Sequence, residues 1–403
     1  MRRFLIPILA LPLAAGLAGA AEKGFVPLFN GKNLNGWEVC NGRANYRVEN
    51  GEIVGTTAEG SPNSFLCTKK EYGDFVLEYE TRTDPALNSG VQVRSHRYGA
   101  NATVQTFDGK KMVERNHPVG RVYGYQVETA DAKSGTSGGI YDEARRGWLH
   151  NIATDPAASK AFQDNQWNRY RVEARGDRIR TWVNGVACAD VVDSMDLTGF
   201  IALQVHSYKG PQTEVRWRNV RIQDLGRHEW RSLTDGRTMK GWRHDGGGIW
   251  KVEDGAFHGV SSNDSRAGYL VSEESFQDVT ARLKVKIPKG NSGFFLRADP
   301  KTRAGYEVEI DAVKRTGGYW EVGGRNWVTG PEDNNVVIPD GWNLITASLH
   351  GRRIVFHVNG VKTIDIPEDT GKVEGGVLAL QVHSKIDSDV WFKGVEVLQP
   401  AKR

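Results

Sequence analysis

The nine residues GFIALQVHS at 199–207 return as GVLALQVHS at 376–384, with only two positions changed. In each copy Leu and Val alternate with Ala, Gln and His, which is the period of a half-buried strand. Leu203 and Val205 therefore point one way, and Gln204 and His206 the other. Leu380 and Val382 oppose Gln381 and His383 in the same manner. One face is apolar, and the other sets an amide beside an imidazole.

The repeat runs outward from this stretch in both directions. YRVENGEIVG (46–55) answers to WKVEDGAFHG (250–259), and NSGVQVRS (88–95) to NSGFFLRA (291–298). YGYQVE (123–128) answers to AGYEVE (304–309), and WVNGV (182–186) to HVNGV (357–361). Asn-Gly and Asp-Gly pairs supply the positive φ of tight hairpin turns between alternating runs. Strand follows strand every ten to fifteen residues without helical periodicity, so the sequence predicts an all-β chain of two tandem jelly-roll β-sandwich domains. The copies span 24–226 and 229–398, with a short join between them. A chain of 403 residues suits two such cores.

Composition narrows the setting. With 47 glycines and 12 tryptophans the chain is rich in turns and large rings. A net charge of +4 with 25% charged residues does not suggest a nucleic-acid partner. Arg2 and Arg3 precede the apolar run 4–17, and Ala18, Gly19 and Ala20 offer small residues for cleavage. Residues 1–20 thus read as a signal peptide, and no other apolar run approaches membrane-spanning length. A periplasmic or secreted protein with no membrane contact after processing is expected. An oxidising compartment favours one disulfide among Cys40, Cys67 and Cys188. Cys67 falls opposite Val271 and Cys40 opposite His244 or Asp245, so this pair is missing together in the second copy. Cys188 is missing there too, which leaves the pairing open.

The same parity argument collects candidate site residues. If Val91, Val93, Tyr125 and Val127 face the core, then Gln92, Arg94, Gln126, Glu128, Gln204 and His206 share the other, concave face. The second copy offers Arg297, Glu307, Glu309, Gln381 and His383. Amides, carboxylates and a guanidinium on one curved surface suit a sugar. Only the first copy carries the long insertion 96–122 and the block SGGIYDEARRGWLHNI (137–152). Tyr141, Asp142, Glu143, Arg145, Arg146 and Trp148 set an aromatic platform beside charges there.

The paired blocks resemble the 3-keto-disaccharide hydrolase domain family, over both halves of the chain. The resemblance is carried by FNGKNLNGW (29–37), NSGVQVRS, YQVE followed by GGIYDE (138–143), WVNGV and LQVHS. It implies a concanavalin A-like jelly roll, export from a bacterial cell, and action on glycosides whose sugar carries a ketone at C3. The second copy departs from the pattern, reading GGYWEV (317–322) with Glu321 its only acid. Activity is therefore expected in the first copy.

Retaining glycoside hydrolysis by two carboxylates is not supported. The second copy begins an E-x-D-x-x-E strand with Glu309 and Asp311 but has Lys314 in third place, and the first has Glu128, Ala130 and Lys133. A 3-keto sugar needs less. Its ketone acidifies the C2 proton, so one base can remove that proton and expel the C1 oxygen by β-elimination, with water adding later. His206 has the intrinsic pKa for the base, Arg94 is the expected enolate clamp, and Glu128 or Asp142 the leaving-group acid. Gln92, Gln126, Gln204, Tyr141, Arg145 and Trp148 are expected to bind substrate, as are the second-copy residues above. No cofactor is called for and no His-x-His or HExxH spacing marks a metal site, although a divalent ion would serve in place of Arg94. The rival reading is a carbohydrate-binding, lectin-like protein, or one catalytic domain joined to one binding domain.

Overall fold

The computed structural model describes residues 24–264 and 266–401. The expected signal peptide, 1–20, lies outside them. Each half of the chain makes two large antiparallel sheets, and no ladder joins a strand of one half to a strand of the other among the described residues. The last strand of the first half is Glu214–Gly226, and His228–Ser232 already pairs with Ser388–Pro400 of the second.

In the first half one sheet runs Val186–Val192, Arg178–Val183, Asn168–Arg175, Asp74–Thr83, Glu214–Gly226, Glu52–Thr56, Asn45–Glu49. The other runs Gly147–His150, Ile140–Glu143, Val122–Thr129, Ser89–Arg97, Phe200–Val205, Ser64–Thr68, Trp37–Cys40. The second half repeats both orders, with Gly376–Val382 where Phe200–Val205 stands. The Leu/Val face of GFIALQVHS is buried between the sheets, where Leu203, Val205 and Ile201 meet Val91, Val93, Trp217 and Leu77. Leu380 and Val382 do the same beside Phe294, Phe392 and Val390. Removing a core side chain of this kind costs about 2–5 kcal/mol, so the alternation sets register as well as burial.

One feature breaks the alternation in both halves. Strand Ser89–Arg97 carries a bulge against Phe200–Val205, and Arg94 there has φ +47°. Its counterpart Arg297 has φ +49°, in a strand that slips register against Gly376–Val382. A bulge moves one side chain to the opposite face. It also brings the backbone of the facing strand very close: a Cβ at Gly199 would lie 2.4 Å from the Arg94 carbonyl carbon, and one at Gly376 only 2.3 Å from the Ala298 oxygen. Glycine is the residue that fits both places.

Cys40 and Cys67 form a disulfide between adjacent strands, with Cα atoms 6.2 Å apart. Cys188 is free and half-buried, and burial pushes its thiol up to about 11. The long first-copy insertion folds as a hairpin, Ala102–Phe107 with Met112–His117. It is tied to the GGIYDE region where Thr106 Oγ1 donates to the Arg145 carbonyl at 2.9 Å.

Candidate functional site

The outer face of the seven-stranded sheet in the first half carries a continuous polar surface. Tyr141, Gln126 and Gln92 lie side by side across three strands, and Glu128, Gly90 and Gln204 form the next row. Glycine at 90 lets the Gln126 side chain lie flat, since a Cβ there would sit 2.6 Å from Gln126 Cγ.

The amides form an oriented chain. Gln126 Nε2 donates to Glu128 Oε2 at 2.9 Å, so Gln126 Oε1 is left to accept from Gln92 Nε2 at 2.8 Å and Gln204 Nε2 at 2.7 Å. A carboxylate can only accept when ionised, so Glu128 fixes the direction of the whole chain. Asn88 donates to the other Glu128 oxygen. Burial raises the Glu128 carboxyl, and these donors pull it back only partly. At the far end Gln204 Oε1 is buried without a partner among the described residues. A buried acceptor left unmade costs about 1–3 kcal/mol, and a bound hydroxyl would recover it.

His206 follows the strand on this face, half-buried. Its Nδ1 lies 2.8 Å from the Ser207 carbonyl oxygen. A carbonyl only accepts, so Nδ1 carries the hydrogen of the neutral ring and Nε2 keeps a lone pair. That is the arrangement of a base. An imidazolium at this position lowers the carboxyls of both Glu128 and Glu143, which places all three groups within electrostatic reach.

Glu143 is the acid that the sequence reading passed over. Strand Ile140–Glu143 buries Ile140 in the core, so Tyr141 and Glu143 face outward with Gln126. Glu143 Oε1 accepts from Arg121 Nη2 and, at 3.4 Å, from Asn63 Nδ2. Burial pushes its carboxyl up despite Arg121. No donor among the described residues reaches Glu143 Oε2. A protonated acid with one open oxygen can give its proton to a leaving group. Tyr141 and Trp148 meet edge to face beside it, with ring centroids 5.3 Å apart, and Trp148 is exposed.

Four of the expected site residues belong elsewhere. Arg94 is fully buried on the far side of the bulge, donating to the Gly73 and Gly176 carbonyls at 2.8 and 2.6 Å and to Asp74 Oδ1 at 3.0 Å. It cannot clamp an enolate on the outer face. Arg297 repeats this role, bonding the Gln277 carbonyl at 2.6 Å and Asp278 Oδ1 at 3.0 Å. Asp142 shares the parity of Ile140 and is fully buried, paired with Arg145 Nη2 at 2.8 Å and Arg146 Nε at 2.5 Å. Arg145 is taken up by Asp142 and by Asp196 at 2.5 Å, and stacks over Tyr123. Asp142 therefore holds a structural ionic cluster that also includes Asp193, and Glu321 holds its counterpart with Arg325 and Asp369. The residue missing from the second half is Glu143, whose place Val322 takes.

In the second half Glu307 and Glu309 stand where Gln126 and Glu128 do, and Phe295 replaces Gln92. Gln381 Nε2 donates to the Tyr269 hydroxyl at 3.3 Å, and His383 Nδ1 lies 2.7 Å from the Ser384 carbonyl. Between the halves lies a separate cleft of about 470 Å³. Its buried Asp177 accepts from Thr280 and Ser348, both at 2.6 Å, which joins the halves. Those groups satisfy one another, whereas the outer face presents open ones, so the site is assigned to the outer face.

Several solved structures resemble one half of the chain. A candidate glycosyl hydrolase of Parabacteroides distasonis is 19% identical, covering 50% of this chain and 94% of its own, with a TM-score of 0.34. A second such protein from the same organism is 20% identical, covers 50% and 99%, and has a TM-score of 0.32. The carbohydrate-binding module CBM66 of Bacillus subtilis is 17% identical, covers 48% and 98%, and has a TM-score of 0.28. No curated protein matches the sequence. A family model does, twice in tandem, over residues 24–223 and 229–398. The chain belongs to the family of the 3-keto-alpha-glucoside-1,2-lyase-like domain.

Proposed function

We propose that this is an exported carbohydrate-active enzyme whose first half cleaves 3-keto-glycosides by C2 deprotonation and β-elimination. The observation that carries the reading is the open Nε2 of His206 beside two buried carboxyls, one of them with an unbonded oxygen. The family membership supports the substrate class.

In the proposed reaction His206 Nε2 takes the C2 proton, and the electron pair moves onto the C3 carbonyl oxygen as an enolate. The enolate then returns its electrons to form the C1–C2 double bond as the C1–O bond breaks. Glu143 protonates the departing oxygen. Water adds across the new double bond to give the free 3-keto sugar. Arg121, which bonds Glu143, and the Gln amides are the donors this face offers the enolate, since Arg94 faces away. Glu128 orients the amides and favours the imidazolium that forms. Export is supported by the leader-like residues 1–20 and by the disulfide, which needs an oxidising compartment.

Incubation with a 3-keto-disaccharide beside its unoxidised parent tests the reading. Monosaccharide released from the oxidised substrate alone supports it. Binding of both sugars without release makes the protein a lectin instead.

A further inference from the structure

We propose that the second half holds a sugar-binding site of its own, on the outer face of strands Asn291–Ala298, Gly305–Asp311 and Gly376–Val382, and that this site binds a neutral glycosyl unit without cleaving it. It stands apart from the reaction proposed for the first half, because Glu143, the acid of that reaction, is replaced here. Val322 stands at the position of Glu143, Ala267 at that of Asn63, and the hairpin 102–117 has no counterpart. The acid assigned to the leaving oxygen in the first half therefore has no counterpart at its position here.

The groups that bind remain. Gln381 is more than nine-tenths buried, and its Oε1 has no partner among the described residues. The same atom of Gln204 is orphaned at the same place in the first half. An acceptor left unmade at one point of both faces is accounted for by a ligand hydroxyl. Glu307 lies flat over Gly293, where a Cβ would meet its Oε1, and no donor reaches it among the described residues. Burial, reinforced by the neighbouring Glu309, pushes the Glu307 carboxyl well up. In its protonated form it both donates and accepts. His383 adds an open Nε2, since its Nδ1 faces the Ser384 carbonyl.

The edge of the face matches as well. Trp320 and Trp327 meet at 62° with centroids 6.3 Å apart, in the places of Tyr141 and Trp148. Donors and acceptors flanked by aromatic rings fit the hydroxyls and apolar C–H face of a sugar.

Calorimetric titration of the full-length protein with methyl α-glucoside tests this, because that sugar has no ketone and reports binding alone. Gln381→Leu should weaken the second-half event about tenfold, the scale of a lost hydrogen bond. Trp320→Ala, at a half-exposed position that spares the core, should weaken it about threefold or more. His206→Ala should leave that event in place. Either affinity loss in a variant that melts like the parent supports the proposal. No binding by the parent protein, or an isotherm untouched by both second-half variants, overturns it. A protein that binds here yet never turns over a 3-keto-disaccharide would sink the catalytic reading of the first half and leave this one standing.

Discussion

Asn63 Nδ2 reaches Glu143 Oε1 at 3.4 Å across 80 residues of sequence, and its Oδ1 accepts from the Ser207 amide at 3.0 Å. One side chain thus ties the raised carboxyl to the turn that carries His206. The acid sits on a strand and the base just past the end of another, and the same amide holds the Glu143 carboxyl and the residue after His206.

This coupling gives a defined pH dependence. Glu143 must be protonated to give a proton to the leaving oxygen. Burial raises its carboxyl, so turnover should fall as pH rises through that raised value. Glu143→Gln should lower turnover about a hundredfold and remove the alkaline limb. An alkaline limb that persists in Glu143→Gln would assign the acid to another group.

Arg94 should matter for stability rather than for chemistry. It is a fully buried charge facing Asp74, and removing one partner of such a pair costs about 3–5 kcal/mol. Burial alone would raise the Asp74 carboxyl, but His228 and Arg94 outweigh it and hold it below the usual range. A depressed carboxyl stabilises the fold above its unfolded pKa, and that contribution is lost as pH falls below about 4. Arg94→Met should lower the melting temperature and flatten its acid-side fall. A variant that melts normally but loses turnover would return Arg94 to the site.

The disulfide closes a separation of 27 residues at one edge of the seven-stranded sheet of the first half. Cys40→Ser should cost about 3 kcal/mol in denaturant unfolding. It should leave KM nearly unchanged, because two strands lie between Gln126 and the nearer cysteine, Cys67. A large rise in KM at unchanged stability would contradict this placement.

Most of the fold was legible because alternation repeated over two copies leaves little freedom in face or register. Gln92, Gln126, Glu128 and Gln204 were placed on one face by parity alone, and the strand pairing sets them side by side, while His206 follows just past the strand end. Parity failed at Arg94 and Arg297 for a physical reason. Each sits at positive φ in a bulge, which reverses the face without any change in residue pattern. The signal that was present is indirect: Gly199 and Gly376 precede the two LQVHS strands and fit where the bulged backbone comes close. Asp142 was a different error. Its parity with Ile140 already pointed inward, but the parity argument was not carried to IYDE, and the acid's role went to Asp142 instead of Glu143.

The central claim is that His206 is the base and that the first half does the chemistry. Steady-state turnover of a 3-keto-disaccharide by His206→Ala and by His383→Ala, measured side by side, tests it most directly. The account predicts a loss of at least about a hundredfold for His206→Ala, with substrate binding weakened only by about one hydrogen bond, and a much smaller loss for His383→Ala. Activity that survives His206→Ala but disappears with His383→Ala would contradict it and move the reaction to the second half.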